Sequence, residues 1–154
     1  MMMGAMKEDP HGRPPSGRRR FEILEHTADA GIVAYGATMA DAFAAAAEGM
    51  YALMVDLDGV RERLSRDVAA AGVDERQLLE HWLLELLFLT ETERLLFRRF
   101  DVRIDGTSLR ARAFGETIDQ ERHLLGGDVK GITRHLTLVE REDGGYRVRA
   151  LVDM

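Results

Sequence analysis

The chain has 154 residues, enough for one domain with a single buried core and too few for two. Hydrophobic residues make up 45% and charged residues 31%, the balance of a globular protein rather than a disordered or collagen-like one. Cysteine is absent, which excludes disulfides, thiolate zinc sites, iron–sulfur clusters and cysteine nucleophiles and leaves oxygen or imidazole to hold any metal.

Charge is unevenly placed. Residues 1–20 carry five basic side chains against two acidic ones, a surplus of +3, so a chain of net −6 leaves −9 on the remainder. This segment also holds all three prolines, Pro10, Pro14 and Pro15, and reads as a disordered basic tail on a domain spanning 21–154. Its Arg18-Arg19-Arg20 run reads as a solubilising extension or as a phosphate contact. The tail lacks the apolar stretch of a secretory signal, and no apolar run approaches the roughly 20 residues that span a bilayer, so the expected location is the cytoplasm. A domain of net −9 is a poor stand-alone nucleic-acid binder, because that affinity comes chiefly from neutralising phosphates. Any RNA is expected to be held by a partner.

Phe21–Leu24 and Gly31–Gly36 read as short strands separated by a polar link. Thr38 offers an N-cap hydroxyl to an amphipathic helix over residues 40–54, with Phe43, Ala46, Ala47, Met50, Tyr51 and Met54 at helical spacing. Residues 60–70 alternate imperfectly, as in a half-exposed strand. Asp74 caps a second helix running to about Thr90, whose leucines and Trp82 cover more than one face and place it at the centre of the core. Phe97–Ile104, an Asp105-Gly106 turn and Ser108–Glu116 read as a hairpin in which Leu109, Ala111 and Ala113 alternate with arginines. Residues 129–140 and 146–152 repeat the period of two across a Glu142-Asp143-Gly144-Gly145 turn. Two amphipathic helices packed on a mostly antiparallel sheet make a single compact α+β domain.

No glycine-rich phosphate loop, paired-histidine zinc helix or internal repeat is present, and three features remain. Glu25-His26-Thr27-Ala28-Asp29-Ala30-Gly31 packs polar groups between two apolar strands, which suits a hydrogen-bonded Asx-type turn or an oxygen ligand, Asp29, backed by His26. Val152-Asp153-Met154 ends an apolar strand in a carboxylate beside the last main-chain oxygens, hard ligands of the kind calcium and magnesium prefer, or groups that are simply solvated. The third feature is the stretch from Asp128 to His135, preceded by His123. There Lys130, Arg134 and His123 suit a phosphate or an exposed strand face, and His135 a proton shuttle or a satisfied strand residue.

Taken together, His26-Thr27-Ala28-Asp29-Ala30-Gly31-Ile32, Tyr35-Gly36, Gly115-Glu116, Val129-Lys130 through Thr133 and His135, and the terminal Asp153 resemble the archease family, in order from about residue 21 to the last. The resemblance implies an αβ fold and a divalent-metal site, calcium in crystals, formed here by Asp29, Asp153 and Met154. It also implies an accessory role without a catalytic cycle of its own. A protein of this family is expected to assist the tRNA-splicing type of RNA ligase, promoting its GTP-dependent guanylylation and turnover, and a mechanism consistent with that has the carboxylates position a metal against the GTP phosphates while Lys130 helps to neutralise charge. Departures stand beside it: Met154 replaces the usual final Ile, and Gly131 and Arg134 replace an Ala and a Tyr of the family's Lys-Ala-x-Thr-Tyr-His segment. Two other readings are a stand-alone metal-dependent phosphohydrolase, with His26 or His135 as base, and a chaperone-like interaction module using the Ala- and Met-rich first helix.

Overall fold

The computed structural model describes residues 20–25 and 29–154, with Arg20, Glu25, Asp29 and His135 placed by their backbone. Its strands are β1 (Arg20–Glu25), β2 (Asp29–Gly36), β3 (Leu64–Ala71), β4 (Leu95–Asp105), β5 (Ser108–Thr117), β6 (Gly131–Glu142) and β7 (Gly145–Asp153). Helix α1 (Met39–Met54) follows β2 and helix α2 (Glu75–Glu93) follows β3. The strands form two antiparallel sheets, in the orders β1-β2-β7-β6 and β3-β5-β4, where the sequence pattern had suggested one.

Both helices start at a side-chain oxygen that satisfies an otherwise orphaned backbone donor. Thr38 Oγ1 accepts from the Asp41 N–H at 3.1 Å, and Asp74 Oδ1 accepts from the Gln77 N–H at 2.8 Å. Helix α1 is more than amphipathic. Ala42, Ala44, Ala45 and Gly49 are buried along with the predicted stripe, because the helix packs on strands of both sheets and small residues let the backbones approach. Its Ala- and Met-rich surface is therefore core, and is not the client surface that a chaperone reading would need.

Trp82 of α2, Tyr51 of α1 and Phe97 and Phe100 of β4 make the centre of the core, with ring centroids 5.8 to 6.3 Å apart. Their polar tips are satisfied inside it: Trp82 Nε1 donates to the Phe43 carbonyl at 3.0 Å, and the Tyr51 hydroxyl reaches the Leu86 carbonyl at 3.1 Å and Thr90 Oγ1 at 2.6 Å. The two helices are thus held together by hydrogen bonds as well as by packing.

Two irregularities depart from the period of two read in the sequence. In the β4–β5 ladder the register shifts between Phe97 and Arg99, and Arg98 Nη1 is free to donate to the Val60 carbonyl at 3.1 Å. In the β6–β7 ladder it shifts between Thr133 and Leu138, with Leu136 in the left-handed region at φ 70° and its carbonyl accepting from Arg149 Nε at 3.0 Å. The regular hairpin alternation expected through residue 140 is broken there, and Leu136 faces solvent. Among the described residues no helix is long and apolar enough to cross a membrane.

Candidate metal centre

The β2–β7 ladder sets two rows of side-chain positions. Ala30 pairs with Val152, Ile32 with Ala150 and Ala34 with Val148, all buried, so this row faces the helices. The alternate row starts with Asp29 directly opposite Asp153. Direct partners on antiparallel strands have Cβ atoms about 4.5–5.5 Å apart, and like charges so placed repel unless something positive lies with them. On the far side of β7, the partner of Asp153 is Gly131, where a Cβ would meet nothing within 4 Å. One row across three strands therefore reads aspartate, aspartate and open space.

Lys130 belongs to the same strand end. Its N–H donates to the Asp153 carbonyl at 2.7 Å, extending the β6–β7 ladder by one bond, and its side chain is exposed. Met154 is half-buried, and its terminal methyl occupies the space where a side chain on Gly127 would begin. His26 lies outside the described residues. His135 sits by its backbone within the irregular part of β6, and its side chain lies outside the description. The structure thus brings Asp29, Asp153, Lys130 and the Met154 backbone together. Among the described residues no group of three or more His, Asp or Glu stands close enough to hold a metal.

The phosphate grouping suggested for Lys130, Arg134 and His123 does not form around His123, which is buried and engaged elsewhere. The Asp119 N–H donates to its Nδ1 at 2.8 Å, which leaves the proton on Nε2 to donate to Glu116 Oε2 at 2.8 Å. Glu116 is 4% exposed at the end of β5 and collects further partners. The Arg61 backbone N–H donates to Oε2 at 2.8 Å, and the Arg122 guanidinium is paired with Oε1. Burial pushes the Glu116 carboxyl up. The bonds from Arg122, the Arg61 N–H and His123, with the charge of Arg122, outweigh it and hold the group at about 2.

This buried network was not read as a site from the sequence, although Gly115-Glu116 was among the segments that carried the resemblance. The available signal was a glycine before an acid at a strand end. A Cβ on Gly115 would stand 1.8 Å from the Leu96 carbonyl oxygen, so the close β4–β5 approach requires glycine there. Glu116 anchors the segment that runs from β5 to Lys130. Further along, the Asp56 N–H donates to the Leu124 carbonyl, the Gly126 N–H to Met54 and the Gly127 N–H to Leu53, at 2.8 to 3.0 Å. Between this segment and the ends of α1 and α2 lies a cleft of about 520 Å³, with Met54, Leu87 and Leu96 in its lining and Glu91, Arg94 and Asp128 among its polar groups.

Fold and strand end define a small α+β protein of two antiparallel sheets around two helices, with paired aspartates where its first long strand meets its last. A sequence model described as the Archease protein family (MTH1598/TM1083) matches residues 21–154. The archease of Thermococcus gammatolerans is 40% identical over 141 residues, 88% of this chain and 99% of that protein, and the archease of Sulfolobus acidocaldarius 36% identical over 137 residues with the same coverage. The solution structure of protein 1598 of Methanobacterium thermoautotrophicum superposes with a TM-score of 0.78 at 37% identity, covering 87% of this chain and 98% of that one. A crystal structure from Thermotoga maritima, described as an archease and possible chaperone, gives 0.51 at 16% identity over 85% and 94% of the two chains, a likeness of fold. The chain belongs to the archease family.

Proposed function

We propose that this protein is an accessory factor that activates a GTP-dependent RNA ligase, of the tRNA-splicing or RNA-repair type, without a catalytic cycle of its own. The site of action is the strand end where Asp29 and Asp153 are direct register partners, and that juxtaposition carries the reading. Aspartates at these paired register positions, together with the Met154 main-chain oxygens, would supply an all-oxygen donor set, which suits a hard divalent cation such as calcium or magnesium. When bound, such a cation supplies positive charge to phosphate oxygens during nucleotidyl transfer.

The chain's own residues do the positioning. The Lys130 N–H fixes the Asp153 carbonyl and so holds the end of β7, while the exposed Lys130 ammonium adds a second positive charge for the ligase-bound nucleotide. Glu116, through His123 and Arg122, anchors the start of the segment that ends at Lys130. The acidic domain suits docking on a basic, RNA-holding ligase in the cytoplasm. The test is guanylylation of the cognate ligase by GTP and a divalent cation, with and without this protein. The reading requires faster or more complete guanylylation with the wild type and none of that gain with Asp153→Ala. Phosphate-ester hydrolysis by this protein alone, abolished by Asp29→Ala, would favour a stand-alone hydrolase instead.

A further inference from the structure

The solvent face of the β3-β5-β4 sheet carries an arginine pair that neither the core nor the aspartate site uses. On this face β5 presents Ser108, Arg110, Arg112 and Phe114, and β4 presents Arg99, Asp101, Arg103 and Asp105. Most of these charges are matched. Arg112 Nε lies 3.1 Å from Asp67 Oδ1, and Arg99 pairs with Glu62 at 3.0 Å and Asp101 at 3.1 Å while its guanidinium sits 3.9 Å over the Phe114 ring. Arg103 and Arg110 are the exceptions. They are direct register partners, both exposed, and neither has an ion pair or side-chain hydrogen bond to another described residue.

Two like charges directly opposite on neighbouring strands are destabilising, and Asp105, two positions along β4, does not pair with either of them. Both arginines line two adjoining shallow depressions of about 340 and 260 Å³, one continuing toward Asp67 and Arg112 and the other toward Asp105 and Ser108. A phosphate between the two guanidiniums would remove the repulsion and accept from planar forks on either side, the geometry for which guanidinium is suited. Same-face positions along β5 repeat every ~6.8 Å, so Ser108, Arg110 and Arg112 lie at intervals comparable with successive phosphates of an extended strand. Of the carboxylates beside the pair, Asp101 and Asp67 are neutralised by Arg99 and Arg112, and the domain's charges more than about 8–10 Å away are largely screened at ordinary salt.

We infer that Arg103 and Arg110 form a phosphate-binding site through which the protein touches a single RNA strand directly. The geometry argues for a phosphodiester. The choice of RNA rests on the ligase-activator reading above.

The test is fluorescence anisotropy of a labelled oligouridylate of about 12 nucleotides against the full chain, without ligase or divalent cation, as salt rises from about 50 to 200 mM. The wild type should bind at low salt. The double variant Arg103→Ala/Arg110→Ala should bind at least about tenfold more weakly, with a log–log salt slope shallower by about 0.7, the value for one neutralised phosphate of a single strand. Arg103→Lys/Arg110→Lys should keep most of the slope and lose part of the affinity, and Arg76→Ala, at an exposed arginine of α2, should match the wild type. The lysine double variant, which keeps the like-charge pair, should melt as the wild type does, and the alanine double variant at the wild-type temperature or slightly above it, because it removes that repulsion. Binding unchanged in the alanine double variant, or no binding by the wild type at low salt, overturns the proposal. So does saturation by inorganic phosphate of a site that RNA does not occupy. With no ligase in the assay, its outcome is independent of the activator role.

Discussion

Asp29 and Asp153 are direct register partners across the β2–β7 ladder, which places aspartates from the beginning and end of the domain in one row on adjacent strands. Like charges at directly opposed positions disfavour this arrangement, and a cation bound between the two residues would reverse the sign of that contact.

Calcium or magnesium should therefore raise the melting temperature of the wild type, by the equivalent of about 2.7 kcal/mol at a hundredfold excess over the dissociation constant. Asp153→Asn should abolish that gain. In the presence of a chelator the same variant should equal or exceed the wild type by about 0.2–1 kcal/mol, since it removes the like-charge contact. Calorimetry with metal and with chelator checks both signs. A metal-dependent gain of equal size in the variant would take Asp153 out of the site.

Lys130→Met should lower ligase activation more than metal affinity. The backbone bond to Asp153 survives the substitution while the ammonium is lost. Parallel metal titration and guanylylation assays separate the two, and equal loss of both would assign Lys130 a structural role.

Glu116 predicts a pH dependence of stability. Its folded carboxyl titrates at about 2, below the ordinary 4.5, so its contribution is fully present above pH 4.5 and is lost as the pH falls toward 2. Glu116→Gln should flatten the stability profile in that window. Glu116→Ala should cost about 3 kcal/mol at neutral pH, because it leaves the His123 Nε2–H, the Arg61 N–H and the Arg122 guanidinium without their acceptor. Denaturant unfolding between pH 2 and 7 reads both effects.

Gly115→Ala should destabilise by about 1–3 kcal/mol or more, since the new methyl would collide with the Leu96 carbonyl and part β4 from β5. Disturbed Glu116 contacts should follow, visible in the chemical shifts of His123. Wild-type stability in this variant would show that the strands separate there without cost.

Much of this architecture was legible because local chemistry and burial agree. Thr38 and Asp74 cap where their positions before apolar helical runs said they would, and the Asp105-Gly106 and Asp143-Gly144 turns use left-handed glycines at φ 62° and 72°. Periodicity could not reveal that the seven strands among the described residues divide into two sheets, nor that α1 lies against both, because alanine is compatible with either a solvent face or a close packing contact. The bulges at Arg98 and at residues 134–137 are invisible to a period of two, since each is set by a tertiary acceptor or donor, the Val60 carbonyl and Arg149. Of the site, Asp29, Asp153, Met154 and Lys130 were singled out in sequence, but their convergence needed the β2–β7–β6 order. His123 was misjudged because a buried histidine and an exposed one look alike until the carboxylate that holds the ring is located.

The most direct test is multiple-turnover joining of a phosphate-ended RNA by the cognate ligase with GTP and metal, comparing no addition, the wild type and Asp29→Ala at equal folded concentration. The account predicts that the wild type raises the number of turnovers and that Asp29→Ala leaves the ligase at its unassisted level. Equal stimulation by both proteins would contradict the strand-end site, and no stimulation of a ligase that responds to another archease would contradict the activator role itself.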